Sequence, residues 1–427
     1  MHDVFRTQSS IVLAIGIAML IAVDAKGIEE PPALSTGRLT LAEAVERARA
    51  TNPELRAAAQ EVEIARGALV KARYPNQFNP QIGGDGGHRS RSGPGGSASA
   101  TDYGIALSQE LEVAGQRGAR IAEAEQTVAR AEAEVRDRKR LLDADTKQAF
   151  FAVLIGARRV QLLEHIEELD RRVREAAAAR ATAGETSVIE ANLAAIRYGQ
   201  ARKATLDADT DLQAARATLR RLLNLDSSAP LEPVGDLPGR ARRLTSEDAV
   251  ARALELRPDL AAAAREVDRI DAERSLTRRL AVPNPTIEAF YRKEDIEPNR
   301  IAGAGLRIPL PLFDRKQGEL VTLAGQQTQA RFRVDAVSKR IEQEVVESLQ
   351  RYQAADRTLA VFEQDVLGRV DENFGFIETA YRAGKIDLLE LVVVQNDLVA
   401  AQLSYLDALA RFRQSEVDLE RAIGGPL

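Results

Sequence analysis

The sequence contains no cysteine and no tryptophan, and aromatic residues make up only 4% of its 427 positions. Without cysteine there can be no disulfide, no thiolate metal centre, no cysteine nucleophile and no lipidated N-terminal cysteine. So few aromatics argue against the two or three compact domains that the length alone suggests. Alanine, glutamate, arginine and leucine dominate instead, the composition of long helices or coiled coil. The net charge of −5 is small and both signs are interspersed. No basic block points to nucleic acid, and no acidic tail points to a solvating arm. No His-Glu-x-x-His, Gly-x-Ser-x-Gly or phosphate-binding loop occurs. Ile301-Ala302-Gly303-Ala304-Gly305 lacks the third glycine of a dinucleotide loop and leads into a strand pattern. His88 sits in a glycine-rich stretch and His165 in a helical one, with no partner at ligand spacing.

Past the first segment no apolar run reaches the roughly 18 residues of a membrane-spanning helix. That first segment carries Arg6, then an apolar run from Ile11 to Val23, then small residues around Ala25. The run is too short to span, so residues 1–25 read as a secretory signal peptide followed by an N-terminal extension, 26–38. An uncleaved anchor is the competing reading.

The chain says nearly the same thing twice. LTLAEAVERARATNPELRAAAQEV from Leu39 recurs as LTSEDAVARALELRPDLAAAAREV from Leu244, with 17 of 44 positions identical between Leu39 and Ile82 at an offset of 205. Asn79-Pro80-x-Ile82 recurs as Asn284-Pro285-x-Ile287, and Ala183-Gly184 as Ala383-Gly384. A period this long means duplication of one large unit, not a solenoid. The boundaries read as repeat 1 over 39–225, a proline-bearing linker over 226–243, and repeat 2 over 244–427.

Within each unit the periodicity changes. Ile105, Leu107, Leu111 and Val113 alternate with Ser108, Glu110 and Glu112; Ile287, Ala289 and Tyr291 alternate with Thr286, Glu288 and Phe290. Ala302, Ala304, Leu306, Ile308 and Leu310 share one face. Period two predicts strands, hence one hairpin at about 80–113 and another at about 285–311. Gly115 to Ala181 holds no proline, and Ile155, Leu162, Leu169 and Ala176 fall seven apart, a heptad seam. A helix of about 65 residues spans about 100 Å. After Gly184 a returning helix carries Ile189, Leu193, Ile196, Leu212 and Leu219; after Gly384 its twin carries Leu389, Val392, Val399, Leu403, Leu406, Ala410 and Val417. The fold class is mainly α with a small β part: duplicated long coiled-coil hairpins plus two β-hairpins.

Four strands cannot close a barrel, and an open edge is not tolerated in lipid. If the strands enter a membrane, the barrel is shared between chains. A soluble periplasmic coiled-coil scaffold or adaptor is the alternative. Four stretches resemble the TolC family of outer-membrane efflux channels, and among them the outer-membrane subunits of cobalt–zinc–cadmium-type systems. They are LTLAEAVERARATNPEL, ALSQELEVAGQRGARIAEAE, IPLPLFDRKQGE (the most specific) and YRAGKIDLLEL. The resemblance implies a homotrimer in outer-membrane lipid, with a twelve-stranded barrel and a twelve-helix periplasmic tunnel. It implies a periplasmic adaptor (membrane fusion protein) and an inner-membrane RND transporter as partners, a heavy-metal cation or other toxic small molecule as cargo, and no catalysis, cofactor or nucleic acid. Gln109-Glu110-Leu111 departs from the family's usual Gln-Pro-Leu.

Gly184 and Gly384 are expected to end their helices in left-handed conformation. The resemblance makes Gly184, Arg382, Ala383 and Gly384 the periplasmic tip and adaptor contact. It places Glu390, and at the twin position Glu190, as candidate carboxylates of the tunnel gate. A ring of like charges there would favour cations. A solvated first-turn glutamate is the plainer reading of each.

Overall fold

The computed structural model describes residues 38–93, 96–237, 242–294, 299–365, 376, 377, 379, 380 and 385–427. Short strand β1 (Arg38–Leu39) precedes helices α1 (Leu41–Thr51) and α2 (Pro53–Ala72). Thr40 opens α1 with a capping box: its hydroxyl accepts from Glu43 N, while the Glu43 carboxylate accepts from Thr40 N at 2.8 Å. Asn52 ends α1 in extended conformation and caps α2, accepting from Glu54 N at 3.0 Å and Leu55 N at 3.1 Å. Pro53 fits the first helical turn, where no N–H is needed.

A hairpin follows, β2 (Gln81–Gly93) and β3 (Gly96–Glu110), and then the long pair α3 (Gln116–Thr182) and α4 (Val188–Leu222). Strand β4 (Glu232–Pro233), in the linker, pairs parallel with β1, Leu39 opposite Pro233. Repeat 2 gives α5 (Ser246–Leu256), α6 (Pro258–Leu280), β5 (Thr286–Glu294), β6 (Asn299–Arg307), α7 (Gln317–Asp365) and α8 (Leu388–Ile423). Where Asn52 sits in repeat 1, repeat 2 has Arg257. Its buried guanidinium pairs with Asp259 and Glu344 and donates to Ala422 O at 3.2 Å, locking α6 to the end of α8.

The two hairpins form one antiparallel sheet in the order β2-β3-β5-β6. Both hairpins stop short of the sequence-based ends at 113 and 311. Leu111, Val113, Ile308 and Leu310 keep the alternation, but Pro309 and Pro311 lack the N–H a ladder needs. Strands β2 and β3, of 13 and 15 residues, are longer than β5 and β6, of nine each.

The main core lies where the helices of both repeats meet. Tyr352 and Phe412 are fully buried and stack with ring centroids 5.5 Å apart, and Phe150 meets Phe151 edge-on at 5.9 Å. Toward the tip the seam differs from the heptad reading. Ala177 is buried in place of Ala176, Ala194 in place of Leu193, and Leu391 in place of Leu389. Ile189, at 78% exposure, and Ile196 face outward. Small residues let helices approach closely, so Ala177 and Ala194 share the contact with Val173, Ile377 and Leu391, while Ile189, Leu193 and Ile196 are left on the outer side.

Candidate functional site: the helical tip and the open sheet

The tip is set by backbone chemistry. Gly184 has φ +73°. Glu185 N donates to Arg180 O at 2.9 Å and Gly184 N to Ala181 O at 3.1 Å, the paired bonds of a Schellman turn. A Cβ on Gly184 would meet nothing within 4 Å, so only the left-handed backbone calls for glycine. In repeat 2, Lys385 N donates to Ala380 O at 2.9 Å, the equivalent closing bond at an offset of 200. Arg382, Ala383 and Gly384 lie outside the described residues.

Helix α4 restarts from Ser187, whose hydroxyl accepts from Glu190 N at 3.3 Å. Helix α8 restarts from Asp387, which accepts from Glu390 N at 2.8 Å. Glu190 and Glu390 therefore both occupy the third helical position, where a carboxylate complements the helix dipole. Their surroundings differ. Thr186 donates its hydroxyl to the half-buried Glu190 carboxylate. The Glu390 side chain is exposed.

Just behind the tip the repeats meet in an apolar cluster of Val173, Ala177, Ala194, Ile377 and Leu391. Next to it lies a polar layer that sequence reasoning missed. Asp170 and Gln395 are 5% and 1% exposed, and Gln395 Nε2 donates to Asp170 Oδ1 at 2.9 Å. Burial pushes the Asp170 carboxyl above its ordinary value; the Gln395 bond and the positive charge of Arg197 oppose the rise. Arg197 itself donates to Asn396 at 2.9 Å, and Arg174 lies 4.3 Å from the centre of the Tyr198 ring. The available signal was a polar residue at each of two seam positions, one beside Leu169 and one four residues after Leu391.

At the opposite end the sheet has two unlike faces, because cross-strand partners share a side. One face carries Ile82, Tyr103, Ile105, Leu107, Ile287, Tyr291 and Leu306, all exposed in the single chain. The other carries ion pairs: Arg89–Asp102 at 2.9 Å, Arg307–Glu288 at 3.5 Å and Arg292–Asp85 at 3.7 Å. It also carries Phe290, whose ring crosses Gly303 so closely that a Cβ there would lie 2.6 Å from the ring. An apolar exterior backed by a charged interior suits a barrel wall around water. Among the described residues nothing pairs with the outer edge of β2 or of β6.

His88 lies on the apolar face of β2 and His165 on an exposed face of α3. Among the described residues no three His, Asp or Glu side chains converge as a metal site. No described helix is long and apolar enough to cross a membrane.

Comparison with known proteins agrees with this geometry. The sequence profile described as "Outer membrane efflux protein" matches residues 44–225 and 249–425. The cobalt-zinc-cadmium resistance protein CzcC of Cupriavidus metallidurans is 28% identical over 395 residues, covering 92% of each chain. A membrane protein from Pseudomonas aeruginosa superposes with a TM-score of 0.76 at 20% identity, over 90% of both chains. VceC, an outer membrane protein of Vibrio cholerae, superposes at 0.71 with 17% identity, over 90% of this chain and 96% of its own. These likenesses leave no support for the soluble-scaffold alternative. The chain belongs to the outer membrane efflux protein family.

Proposed function

We propose that three copies of this chain close a twelve-stranded barrel in the outer membrane and bundle their helices into a twelve-helix periplasmic tunnel, a passive conduit for divalent heavy-metal cations. The observation that carries the cargo is the 28% identity to a cobalt-zinc-cadmium resistance protein along nearly the whole of both chains. The channel itself follows from family membership and from a sheet whose two faces suit lipid and water. Helix α3, with 67 residues, would reach about 100 Å, enough to cross a wide aqueous gap.

The chain has no catalytic role in this reading. Energy comes from an inner-membrane RND transporter, joined to the tip through a periplasmic adaptor. Gly184, with Arg382, Ala383 and Gly384, makes the adaptor contact at the tip. Glu390 supplies one carboxylate per copy to a ring at the tunnel mouth, and the ring selects for cations. Glu190, already held by Thr186, contributes less.

Deleting the gene tests the cargo. Growth is measured against zinc, cobalt, cadmium and nickel, and in parallel against dyes and antibiotics. Sensitisation to the metals is expected. Sensitisation to organic compounds alone would overturn the metal assignment while leaving the channel standing.

A further inference from the structure

The internal duplication predicts how one copy meets the next, residue by residue. Inside the chain, repeat 1 is joined to repeat 2 across β3 and β5. In a closed ring, repeat 2 of one copy must be joined to repeat 1 of its neighbour across β6 and β2. If the repeats are equivalent in structure, the junction seen within the chain is the template for the junction between chains.

The twins are fixed by pairing. Gln81 and Thr286 are equivalent at an offset of 205; Gln81 faces Ser108, and Thr286 faces Arg307. Arg307 is therefore the twin of Ser108, and by the same offset Gly83 is the twin of Glu288. Ser108 faces Glu288 and Leu107 faces Ala289 within the chain. We infer that Arg307 faces the partner's Gly83 and Leu306 the partner's Gly84, in an antiparallel ladder that closes the barrel. The inference rests on the trimeric barrel proposed above and adds its register.

Helix starts at the two strand-to-helix passages support the equivalence. Gln116 opens α3 and accepts from Ala114 N at 2.8 Å; Gln317 opens α7 and accepts from Arg315 N at 2.7 Å. Each follows a left-handed residue, Gly115 at φ +72° and Lys316 at φ +62°. The local structure repeats, but the covering does not. Gln116 is fully buried, because its Nε2 donates to Asn284 Oδ1 of repeat 2 at 2.9 Å. Gln317 is exposed, its Nε2 donating to Phe313 O of its own turn at 2.8 Å and its second N–H facing outward beside Phe313 at 89% exposure and a bare Leu312. Asn79, the twin of Asn284, is exposed as well. The missing cover of Gln317 is then the partner's Asn79.

Ring geometry offers an independent check. Gly83 faces Ala106, Ala106 faces Phe290, and Phe290 faces Gly303. In the inferred register Gly303 faces the partner's Gly87, four residues on from Gly83. Three copies advance twelve residues over twelve strands, and equal shear and strand number tilt the strands about 35° from the barrel axis. Sliding each junction by two residues changes the tilt to about 19° or about 46°, outside the 35–45° of membrane barrels on either side.

The native chain has no cysteine, so engineered pairs have no background. Two double variants carry the inferred partners, Gly83→Cys with Arg307→Cys and Gly84→Cys with Leu306→Cys. Consecutive antiparallel pairs alternate in spacing, so one of the two is the close kind. Displaced controls join Arg307→Cys to Gln81→Cys or Asp85→Cys, and Leu306→Cys to Ile82→Cys or Gly86→Cys. After oxidation in outer membranes, an inferred pair should yield covalent trimer on the order of tenfold faster than its displaced controls, whose Cα atoms lie beyond disulfide reach. Faster linking of a displaced pair overturns the register. No linking in a protein that sediments as a trimer overturns the edge-to-edge junction. A monomer in detergent would instead sink the trimer reading itself. A cysteine-free measurement runs beside this one: Gln317→Ala, Asn79→Ala and the double variant should lower the denaturant midpoint of trimer dissociation equally. Additive losses would mean that the two side chains do not meet.

Discussion

Replacing Gly184 tests the tip turn with a single variable. The residue has φ +73°, and a side chain there would touch nothing within 4 Å. Crowding is therefore absent and the whole cost is conformational, about 1–2 kcal/mol for an L-residue held left-handed. Asparagine tolerates that region better than alanine, and valine, branched at Cβ, tolerates it least. A loss of 1–2 kcal/mol is a factor of about 5–30 in a local opening equilibrium. The amide of Glu185, which donates to Arg180 O, reports that opening directly. Hydrogen exchange across residues 180–187 should accelerate by about 5–30-fold in Gly184→Ala. Gly184→Asn should fall below that and Gly184→Val above it. The trimer should still assemble and melt as before, because obligate interfaces bury thousands of square ångströms. Exchange in Gly184→Ala indistinguishable from the parent would refute the reasoning, since the turn would not then depend on a left-handed residue. A collapse of trimer assembly would refute it differently, by showing that the turn is not local.

Other expectations concern charge and packing. Asp170→Ala strands the buried Gln395 amide and should destabilise the protein by about 1–3 kcal/mol. Asp170→Asn keeps an acceptor in place and should not. The Asp170 carboxyl is raised above its ordinary 3.8, so the folded state holds its proton more tightly than the unfolded chain does. Its contribution to stability is then greatest below that ordinary value and falls as pH rises through the elevated folded one. Melting of Asp170→Asn against the parent should accordingly show an advantage that grows from acid to neutral pH; a constant difference would contradict the burial argument. Glu390→Gln should reduce cation selectivity in single-channel recordings with assembly unchanged, and unaltered selectivity would return Glu390 to an ordinary first-turn glutamate. Phe412→Ala removes one ring of the stacked pair with Tyr352 and should cost about 3–5 kcal/mol in denaturant unfolding.

The duplication was legible because the residues that dictate backbone geometry recur: Thr40 and Thr245 as caps, Pro53 and Pro258 in first turns, Asn79-Pro80 and Asn284-Pro285 before strands. The strand faces were legible too, since alternation survives wherever one side meets water and the other does not. Strand ends were not, because the alternation runs past Glu110 and Arg307 while the prolines beyond Arg307 end the ladder there. The seam near the tip was hidden by composition. Where alanine is abundant, several helical stripes look equally apolar, and contact distance decides that Ala194 goes inside and Ile189 outside. Asp170 and Gln395 were hidden for a related reason. A hydrogen-bonded pair from two repeats, 225 positions apart, leaves no periodic trace in either. Arg257 was hidden by its own twin, since Asn52 performs the same helix break with a side-chain cap and no ion pair.

Conductance decides the central claim most directly. The full chain, purified from outer membranes as an assembled trimer, is incorporated into planar lipid bilayers and recorded one channel at a time. A passive conduit closed by carboxylates at its mouth predicts discrete steps that need no energy source, prefer cations over anions, and lose that preference in Glu390→Gln. An assembled trimer that inserts and yet carries no current, with or without the tip altered, would contradict a continuous path through barrel and tunnel.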